Sequence, residues 1–275
     1  MDLYCVMGNP VEHSKSPWIH ARFAELTGQS LHYGKRLVAL DGFSAAVQAF
    51  IAEGGRGCNI TVPFKFEAAA LASHTSERAQ LAQACNVLTF KDGAILADNT
   101  DGAGLVNDIQ RNAGVDLSGR RVLLIGAGGA AAGVLGPLLQ AQPAHITVAN
   151  RTQDKASALV ARLGNSDTLQ KTELQAQGLC GLEGDFDVII NASASSLSGT
   201  GVPVPASTLK PGALAYDMMY GPAAQGFMTW AREHGATPRD GLGMLVEQAA
   251  EAFLIWRGVL PPTQPVLTEL RALMG

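Results

Sequence analysis

The chain has 275 residues, of which 47% are hydrophobic and 16% are charged, so an intrinsically disordered protein is excluded. Its length exceeds the usual size of a single hydrophobic core, and two domains are expected. A net charge of -4, without any run of basic and aromatic residues, excludes nucleic acid as an expected partner.

Short apolar runs alternate with helical patterns over residues 1–100, which predicts an α/β domain. The predicted strands cover residues 3–7, 31–37 and 57–62, and the predicted helices begin at or near residues 17, 43, 66 and 77. Residues 87–90 and 94–97 flank Lys91, Asp92 and Gly93, a pattern that is typical of a β-hairpin.

A second series of elements follows a helix that is predicted over residues 102–112. Its strands are predicted at residues 122–125, 146–150, 188–192 and 214–217, with helices between them. The apolar residues of these strands are continuous rather than alternating, which is typical of a parallel sheet covered on both faces. Two last helices are predicted over residues 242–256 and 265–273.

Residues 122–144 carry no charged side chain, and this segment is long enough to suggest a membrane helix. Five glycines and Pro137 within it favour a strand, a glycine turn and a buried helix instead. No signal peptide follows Met1, and the four cysteines show neither a CxxC pair nor a zinc pattern, so buried thiols are expected. We therefore expect a cytoplasmic location, no membrane partner and no metal.

A glycine-rich turn follows the predicted strand at residues 122–125. The sequence Gly126-Ala127-Gly128-Gly129-Ala130-Ala131 fits the GxGxxG/A pattern that binds dinucleotides between a strand and a helix. Gly126 permits the tight turn, Gly128 lets backbone N–H groups approach a pyrophosphate, and Ala131 lets the helix lie close to the sheet.

The end of the next predicted strand bears on the choice between NAD and NADP. An NAD enzyme has a carboxylate about 20 residues after the glycine turn, whereas this chain has Asn150, Arg151 and Thr152. Arg151 can bind a 2′-phosphate with help from Thr152 and Lys155, so NADP is favoured. The alternative is an ordinary loop in which Thr152 caps the following helix.

A polar segment that contains Ser14 and Ser16 follows the first predicted strand. Ser16 is a candidate N-cap for the next helix, with Pro17 in its first turn. Capping does not explain Ser14, and two hydroxyls beside a helix N-terminus favour a carboxylate site. Both interpretations remain open at this point.

Lys65 and Asp101 occupy similar places, each at the exit of a predicted strand and the start of a helix. Taken singly, Lys65 is explained as a surface lysine and Asp101 as an acid in the first turn of a helix. If the two side chains meet, they form a pair that is suited to proton transfer. Asn59, Thr61 and Asn86 offer hydrogen bonds to a polyhydroxylated ligand, or else satisfy strand ends and turns.

Two segments late in the chain carry further candidates. Residues 216–221 end the last predicted strand, and residues 240–248 begin a helix at a predicted glycine hinge. Gln248 is a polar residue on an otherwise apolar face of this helix. A methionine such as Met218 lies more often in the core than in contact with a ligand, although its flexible thioether suits a nicotinamide pocket.

Eight segments, in this order along nearly the whole chain, resemble the shikimate dehydrogenase family: residues 8–10, 13–17, 59–65, 99–102, 126–130, 150–152, 216–218 and 240–244. The resemblance implies two α/β domains around a cleft, the second a Rossmann-type NADP-binding domain. It implies a substrate domain over residues 1–101, with residues 238–275 packing back onto it, and an NADP domain over residues 102–237. The implied activity is the reversible NADPH-dependent reduction of 3-dehydroshikimate to shikimate, in chorismate and aromatic amino-acid biosynthesis.

The resemblance also implies roles for individual residues, with Lys65 and Asp101 as the catalytic pair. The implied substrate contacts are Ser14, Ser16, Thr61, Lys65, Asn86, Asp101, Tyr220 and Gln248. The implied NADP contacts are Glu77, Gly126, Ala127, Gly128, Gly129, Ala130, Asn150, Arg151, Thr152, Lys155, Met218 and Gly241. The implied partners are small molecules, and a homodimer is left open.

Two other functions stay open. A quinate/shikimate dehydrogenase of broader specificity, by resemblance, usually has an acid after the second strand of its NADP domain and lacks Lys15, and neither difference is present here. A non-catalytic NADP-dependent sensor would keep both pockets without turnover, which the presence of Lys65 and Asp101 argues against. The chain departs from the usual pattern of the family at Ala132, at residues 193–198 and at residues 222–226.

Overall fold

The computed structural model describes residues 1–163, 171–193, 195 and 201–274. The chain forms two compact units, the first made of Met1–Gly104 and Leu245–Gly275 and the second of Leu105–Met244. Residues 102–104 thus belong to the first unit and residues 238–244 to the second. Of the departing segment 193–198, residues 194 and 196–198 lie outside the described part of the chain.

The described elements alternate between strands and helices along most of the chain. The strands are β1 (Asp2–Gly8), β2 (Leu31–Leu37), β3 (Gly55–Ile60), β4 (His74–Thr75), β5 (Val87–Lys91), β6 (Ala94–Asp98), β7 (Arg121–Ile125), β8 (His145–Asn150), β9 (Glu173–Gly178), β10 (Phe186–Asn191), β11 (Leu209–Asp217) and β12 (Thr237–Arg239). The α-helices are α1 (Ser16–Thr27), α2 (Phe43–Ala52), α3 (Lys65–Leu71), α4 (Glu77–Ala82), α5 (Asp101–Asn107), α6 (Gly129–Gln140), α7 (Gln153–Leu163), α8 (Gln225–Glu233), α9 (Leu242–Arg257) and α10 (Thr263–Met274).

The sheet of the first unit has the order β2-β1-β3-β5-β6-β4. β1 is parallel to β2 and β3, whereas β5 is antiparallel to β3 and β6. The predicted hairpin is confirmed, because β5 and β6 pair from Val87 and Asp98 to Lys91 and Ala94. Its turn residues Asp92 and Gly93 have φ values of 51° and 76°, the left-handed conformation that a two-residue hairpin of type I′ requires.

The sheet of the second unit has the order β12-β11-β10-β7-β8-β9, and its strands pair in parallel. Read from β9, with β7 counted as strand 1 of the unit, this is the order 3-2-1-4-5-6 of a Rossmann-type dinucleotide-binding fold. The apolar residues of β7 after Arg121 are all buried, as expected for a strand that helices cover on both faces. The prediction of a parallel, Rossmann-type sheet is therefore confirmed.

Several predicted boundaries differ from the structure for identifiable reasons. β3 ends at Ile60, two residues before the predicted end at Val62, because the chain turns at Thr61 to Phe64, where Phe64 N donates to Thr61 O at 3.1 Å. The helix predicted over residues 102–112 is α5 followed by a π-helical turn at Asp108–Asn112, in which Ala113 N donates to Asp108 O. Cys180 is exposed, contrary to expectation, because it lies in the turn after β9.

The uncharged segment 122–144 forms β7, the glycine turn and α6, a helix of 12 residues. This agrees with the interpretation favoured from its glycines. Within the described ranges, no helix is both long enough and apolar enough to cross a membrane.

A buried ion pair connects three elements of the second unit. The carboxylate of Asp108 is fully buried and accepts hydrogen bonds from Arg239 Nε at 2.9 Å and Tyr216 Oη at 2.7 Å. A second bond from Arg239, at 2.5 Å, completes a bidentate contact. Burial and the neighbouring Asp108 charge raise the pKa of Tyr216 well above its ordinary value, so its hydroxyl stays a donor.

A buried histidine lies in the first unit, on α1. The ring of His20 stacks on that of Tyr33, with centroids 4.2 Å apart and planes 5° from parallel. Burial, opposed only in part by the polar side chain of Asn59, lowers the pKa of His20 from 6.5 to about 3. His20 is therefore neutral in the folded protein at neutral pH.

We expect the replacement His20→Phe to flatten the pH dependence of the free energy of unfolding between pH 6.5 and about 3. The pKa of His20 is lower in the folded chain than in the unfolded chain, so the neutral ring costs no stability above pH 6.5. Below pH 6.5 the free energy of unfolding falls by up to about 1.4 kcal/mol per pH unit, because the unfolded chain binds a proton at His20 and the folded chain does not. Urea unfolding at a series of pH values measures this slope. The exposed His74, replaced by Gln, is the control, and a wild-type slope in His20→Phe would contradict the assignment.

Candidate active site

The structure brings Lys65 and Asp101 together within the first unit. Lys65 is the first residue of α3, Asp101 is the first residue of α5, and Lys65 Nζ donates a hydrogen bond to Asp101 Oδ2. Their side chains are only 21% and 9% exposed, so solvent screens this ion pair much less than a surface pair. Lys65 is therefore not a free surface lysine.

Asn86 donates a hydrogen bond to the second carboxylate oxygen of Asp101. Its Nδ2 lies 2.8 Å from Asp101 Oδ1, 3.0 Å from Thr100 Oγ1 and 3.1 Å from Gln248 Oε1. Its Oδ1 accepts from Thr100 N at 2.8 Å, so both ends of the amide are engaged. Asn86, Asp101 and Gln248, which the resemblance named separately, form one buried network.

The topology of the sheet explains why these groups meet. β1, β3 and β6 point the same way, and Gly8, Ile60 and Asp98 mark their carboxyl ends. Because β5 runs antiparallel to β3, Asn86 at its start lies at the same edge of the sheet. Ligands of open α/β sheets bind at this edge.

Asn99 is a site residue to which sequence reasoning gave no role. Its Oδ1 accepts from Asp101 N at 3.1 Å, and its Nδ2 donates to Ala84 O at 3.0 Å, so it fixes the start of α5. Asp98 supports the same segment. Burial alone would raise the pKa of Asp98, but hydrogen bonds from Arg78 and Ser76 hold it below its ordinary value. The polar run after β6 was the available signal for both residues.

The two serines lie at the start of α1. The interpretation of Ser16 as the N-cap is wrong, because Lys15 occupies the cap position and Ser16 is the first helical residue. Ser14 Oγ instead accepts the hydrogen bond from Ser16 N at 3.3 Å. Capping therefore explains Ser14 in part and leaves the buried hydroxyl of Ser16 for another contact.

Thr61 lies against the end of β1. Its N–H donates to Met7 O at 3.0 Å, and its Cγ2 would lie 2.3 Å from a Cβ added at Gly8. Only glycine at position 8 leaves room for this side chain. Ser14, Ser16, Thr61, Lys65, Asn86, Asp101 and Gln248 are thus all in the first unit.

Two predicted contacts do not belong to this cluster. Glu77 is the exposed first residue of α4 in the first unit, and Tyr220 lies in the second unit, where burial raises its pKa. Their proposed roles stay predictions.

The glycine turn of the second unit has the geometry that a pyrophosphate requires. Gly126 has a φ of 113°, and a Cβ at this position would lie 3.0 Å from Ala192 O. α6 begins at Gly129 with Gly128 as its N-cap, so no side chain caps the first backbone N–H groups. A Cβ at Gly128 would meet nothing within 4 Å, so this position leaves space beside the backbone donors for a dinucleotide phosphate.

The loop after β8 exposes the groups that were predicted to select NADP. Asn150 Nδ2 donates to Thr152 O at 2.8 Å, which folds the loop back on itself. Arg151, Thr152 and Lys155 are exposed. Thr152 directly precedes α7, so its position fits the alternative of an N-cap as well as a ligand contact.

Met218 and Gly241 form a close contact in the second unit. A Cβ at Gly241 would lie 2.3 Å from Met218 O, and Gly241 N donates to Met219 O at 2.9 Å. Gly243 is equally confined, because a Cβ there would lie 1.9 Å from Asp108 Oδ1. Close packing, rather than a hinge, explains these glycines.

A Rossmann-type unit with a glycine turn of the dinucleotide-binding pattern, and a shielded lysine–carboxylate pair at a strand edge, are features of a nicotinamide-dependent oxidoreductase. Three family models match the chain. They are the shikimate dehydrogenase substrate binding domain over residues 6–88, shikimate / quinate 5-dehydrogenase over residues 108–198, and the shikimate 5'-dehydrogenase C-terminal domain over residues 241–271. The chain belongs to the shikimate dehydrogenase family.

Individual relatives agree with these matches over nearly the whole chain. Shikimate dehydrogenase (NADP(+)) of Acidovorax sp. (strain JS42) is 70% identical over 271 residues, which are 98% of this chain and 96% of the relative. The structure of an Ael1 enzyme from Pseudomonas putida is 48% identical, with a TM-score of 0.90 and 98% of each chain covered. Shikimate 5-dehydrogenase from Thermus thermophilus, solved in complex with NADP(H) and shikimate, is 29% identical, with a TM-score of 0.86 and 99% of each chain covered.

Proposed function

We propose that the chain catalyses the reversible NADPH-dependent reduction of 3-dehydroshikimate to shikimate, a step in chorismate and aromatic amino-acid biosynthesis. Membership of the shikimate dehydrogenase family supports this activity. The observation that carries it is the shielded contact between Lys65 and Asp101, beside the polar groups of Asn86 and Gln248.

Lys65 is the proposed proton donor in the reductive direction and the proton acceptor in the oxidative direction. Its proton passes to the ketone oxygen as the carbonyl carbon is reduced, and its charge stabilises the oxyanion that develops there. The bound cofactor supplies the hydride to the carbonyl carbon. Asp101 fixes the position of the ammonium group, and Asn86 fixes Asp101 through its second oxygen.

The other groups of the first unit are proposed to hold the substrate. Ser14 and Ser16 bind its carboxylate, which the hydroxyl of Ser16 and the N-terminus of α1 both support. The remaining proposed contacts, around the ring and its hydroxyls, are Thr61, Asn86 and Gln248 of the first unit and Tyr220 of the second unit.

The second unit is proposed to bind NADP. The backbone N–H groups at Gly126 to Ala130 hold the pyrophosphate, and the open space at Gly128, where an added Cβ would meet nothing within 4 Å, supports this. Arg151, with Thr152 and Lys155, holds the 2′-phosphate. The remaining proposed contacts are Asn150, Met218 and Gly241 of the second unit and Glu77 of the first unit.

We expect Arg151→Ala to raise KM for NADP+ by about 10- to 100-fold, the order that loss of a charge-assisted guanidinium–phosphate contact supports. KM for NAD+ should stay within about twofold of the wild-type value. NAD+ lacks the 2′-phosphate, so neither the wild type nor the variant makes the Arg151–phosphate contact with it. Steady-state kinetics with both cofactors checks this. Arg232→Ala, an exposed arginine on α8, is the matched control. Equal losses with both cofactors would show that Arg151 does not select NADP.

An absorbance assay tests the function itself. Wild-type protein is mixed with shikimate or quinate and with NADP+ or NAD+, and the reduced nicotinamide is followed. We expect turnover with shikimate and NADP+. Turnover with quinate and NAD+ alone would identify a quinate dehydrogenase, and tight NADP binding without turnover would identify a sensor.

We further propose that the enzyme is cytoplasmic and that its partners are small molecules, without nucleic acid or membrane. A homodimer stays open, and light scattering decides it against the chain mass of 28.7 kDa.

A further inference from the structure

Tyr33 of β2 carries a buried hydroxyl that reaches toward the active-site network. Tyr33 Oη donates to Asn59 Oδ1 at 2.6 Å, and both residues are buried. Asn59 belongs to β3, at the same strand end as Thr61. The phenol therefore connects the β2 side of the sheet with the strand that leads to Lys65.

The contact continues through Asn59 to Asn86. Asn59 Nδ2 donates to the main-chain oxygen of Asn86 at 3.2 Å, and Ile60 N donates to the same oxygen at 2.8 Å. The side chain of Asn86 then donates to Asp101 Oδ1. Three hydrogen bonds thus separate the hydroxyl of Tyr33 from the carboxylate that holds Lys65.

Burial raises the pKa of Tyr33 well above its ordinary value, so the phenol stays protonated. A phenol has one hydrogen, and Tyr33 gives it to Asn59.

The ring of Tyr33 is itself fixed. His20 stacks on one face at 4.2 Å, and Trp256 lies 6.4 Å away at a tilt of 44°. These aromatic contacts leave the hydroxyl little freedom to move away from Asn59.

We propose that Tyr33 is a positioning residue for the reaction, whose hydroxyl fixes Asn59 and, through Asn59, the Asn86 that holds Asp101. This inference rests on the proposed function. Tyr33 itself does not touch the substrate.

The test is Tyr33→Phe, which keeps the ring and removes only the oxygen. The buried Asn59 Oδ1 then loses its hydrogen-bond donor. We expect kcat/KM for shikimate to fall about tenfold, mainly through a rise in KM, the order that loss of one buried hydrogen-bond partner supports. KM for NADP+ should not change, because all proposed NADP contacts except the exposed Glu77 are in the second unit.

Tyr4→Phe is the matched control, since it removes a phenol oxygen from the same unit. Tyr4 is also buried and stacks on Trp256, with centroids 4.7 Å apart, but its hydroxyl contacts Arg257. We expect both KM values of this variant to equal those of the wild type. If Tyr33→Phe does not fold, Asn59→Ser gives the same comparison with the aromatic pair intact, and the same rise in KM is expected.

The outcomes separate this inference from the proposed function. An active wild type, together with a Tyr33→Phe variant whose KM for shikimate is unchanged, overturns the inference alone. A loss of kcat that only follows the folded fraction does the same, because a merely structural role would produce it. A wild type that does not turn over shikimate with NADP+ overturns the proposed function and this inference with it.

Discussion

Replacing Lys65 by Ala is expected to lower kcat about a thousandfold while KM for shikimate changes less than about tenfold, within the range observed for loss of a general acid–base. The proton of Lys65 and its charge act mainly in the transition state, whereas several other groups hold the ground state. Asp101 would also be left as a buried carboxylate without its cation, while Asn86 still donates to its other oxygen.

Steady-state kinetics in both directions measures this effect. Lys91→Ala, an exposed lysine of the hairpin in the same unit, is the matched control and should behave as the wild type. Lys65→Arg separates charge from proton transfer, because a guanidinium keeps its proton under all assay conditions. It should bind shikimate and remain nearly inactive. A raised KM with an intact kcat in Lys65→Ala would make Lys65 a binding residue only.

The second large effect concerns stability. Asp108→Ala is expected to lower the free energy of unfolding by about 3–5 kcal/mol, the usual cost of removing one partner of a buried ion pair. Arg239 would keep a shielded charge without its carboxylate, and the buried hydroxyl of Tyr216 would lose its acceptor. The Asp108 side chain is fully buried. No other group in the described part of the second unit can therefore take over these contacts unless the structure rearranges.

Urea unfolding followed by circular dichroism measures the loss. Asp185→Ala is the control, because Asp185 pairs with Arg121 at 3.5 Å on the surface of the same unit and is 67% exposed. Removing such a pair costs about 1 kcal/mol or less. Equal effects of the two substitutions would mean that burial of the Asp108 pair contributes nothing to the stability of the fold.

The fold was predictable from sequence wherever one local signal dominated. Asp92 and Gly93 specify a hairpin turn, and the apolar run before Gly126 specifies a buried parallel strand. β9 and β12 were not predicted, because Glu173–Gly178 has a single large apolar residue, Leu174, and Thr237–Arg239 is only three residues long with a central proline. Both are edge strands, and an edge strand can carry polar residues because it has one neighbouring strand and more exposed surroundings.

The site was predictable in its members and less so in their connections. Lys65 and Asp101 each follow a strand, which marks them as residues of the carboxyl edge. Asn86 precedes a strand, and only the antiparallel pairing of β5 brings it to that edge. The contacts of Tyr33 and Asn59 depend on the alignment of separate strands, which no local pattern in the sequence reveals.

The tight environment of Gly241 and Gly243 affects how homologous sequences should be interpreted. At both positions even a methyl group would overlap an oxygen atom of the same unit. If glycine proves invariant there among homologues, steric exclusion alone accounts for it, without any contact with nucleotide or substrate. Mutational libraries aimed at cofactor preference should therefore leave these two positions unchanged and vary Arg151, Thr152 and Lys155, whose side chains face solvent.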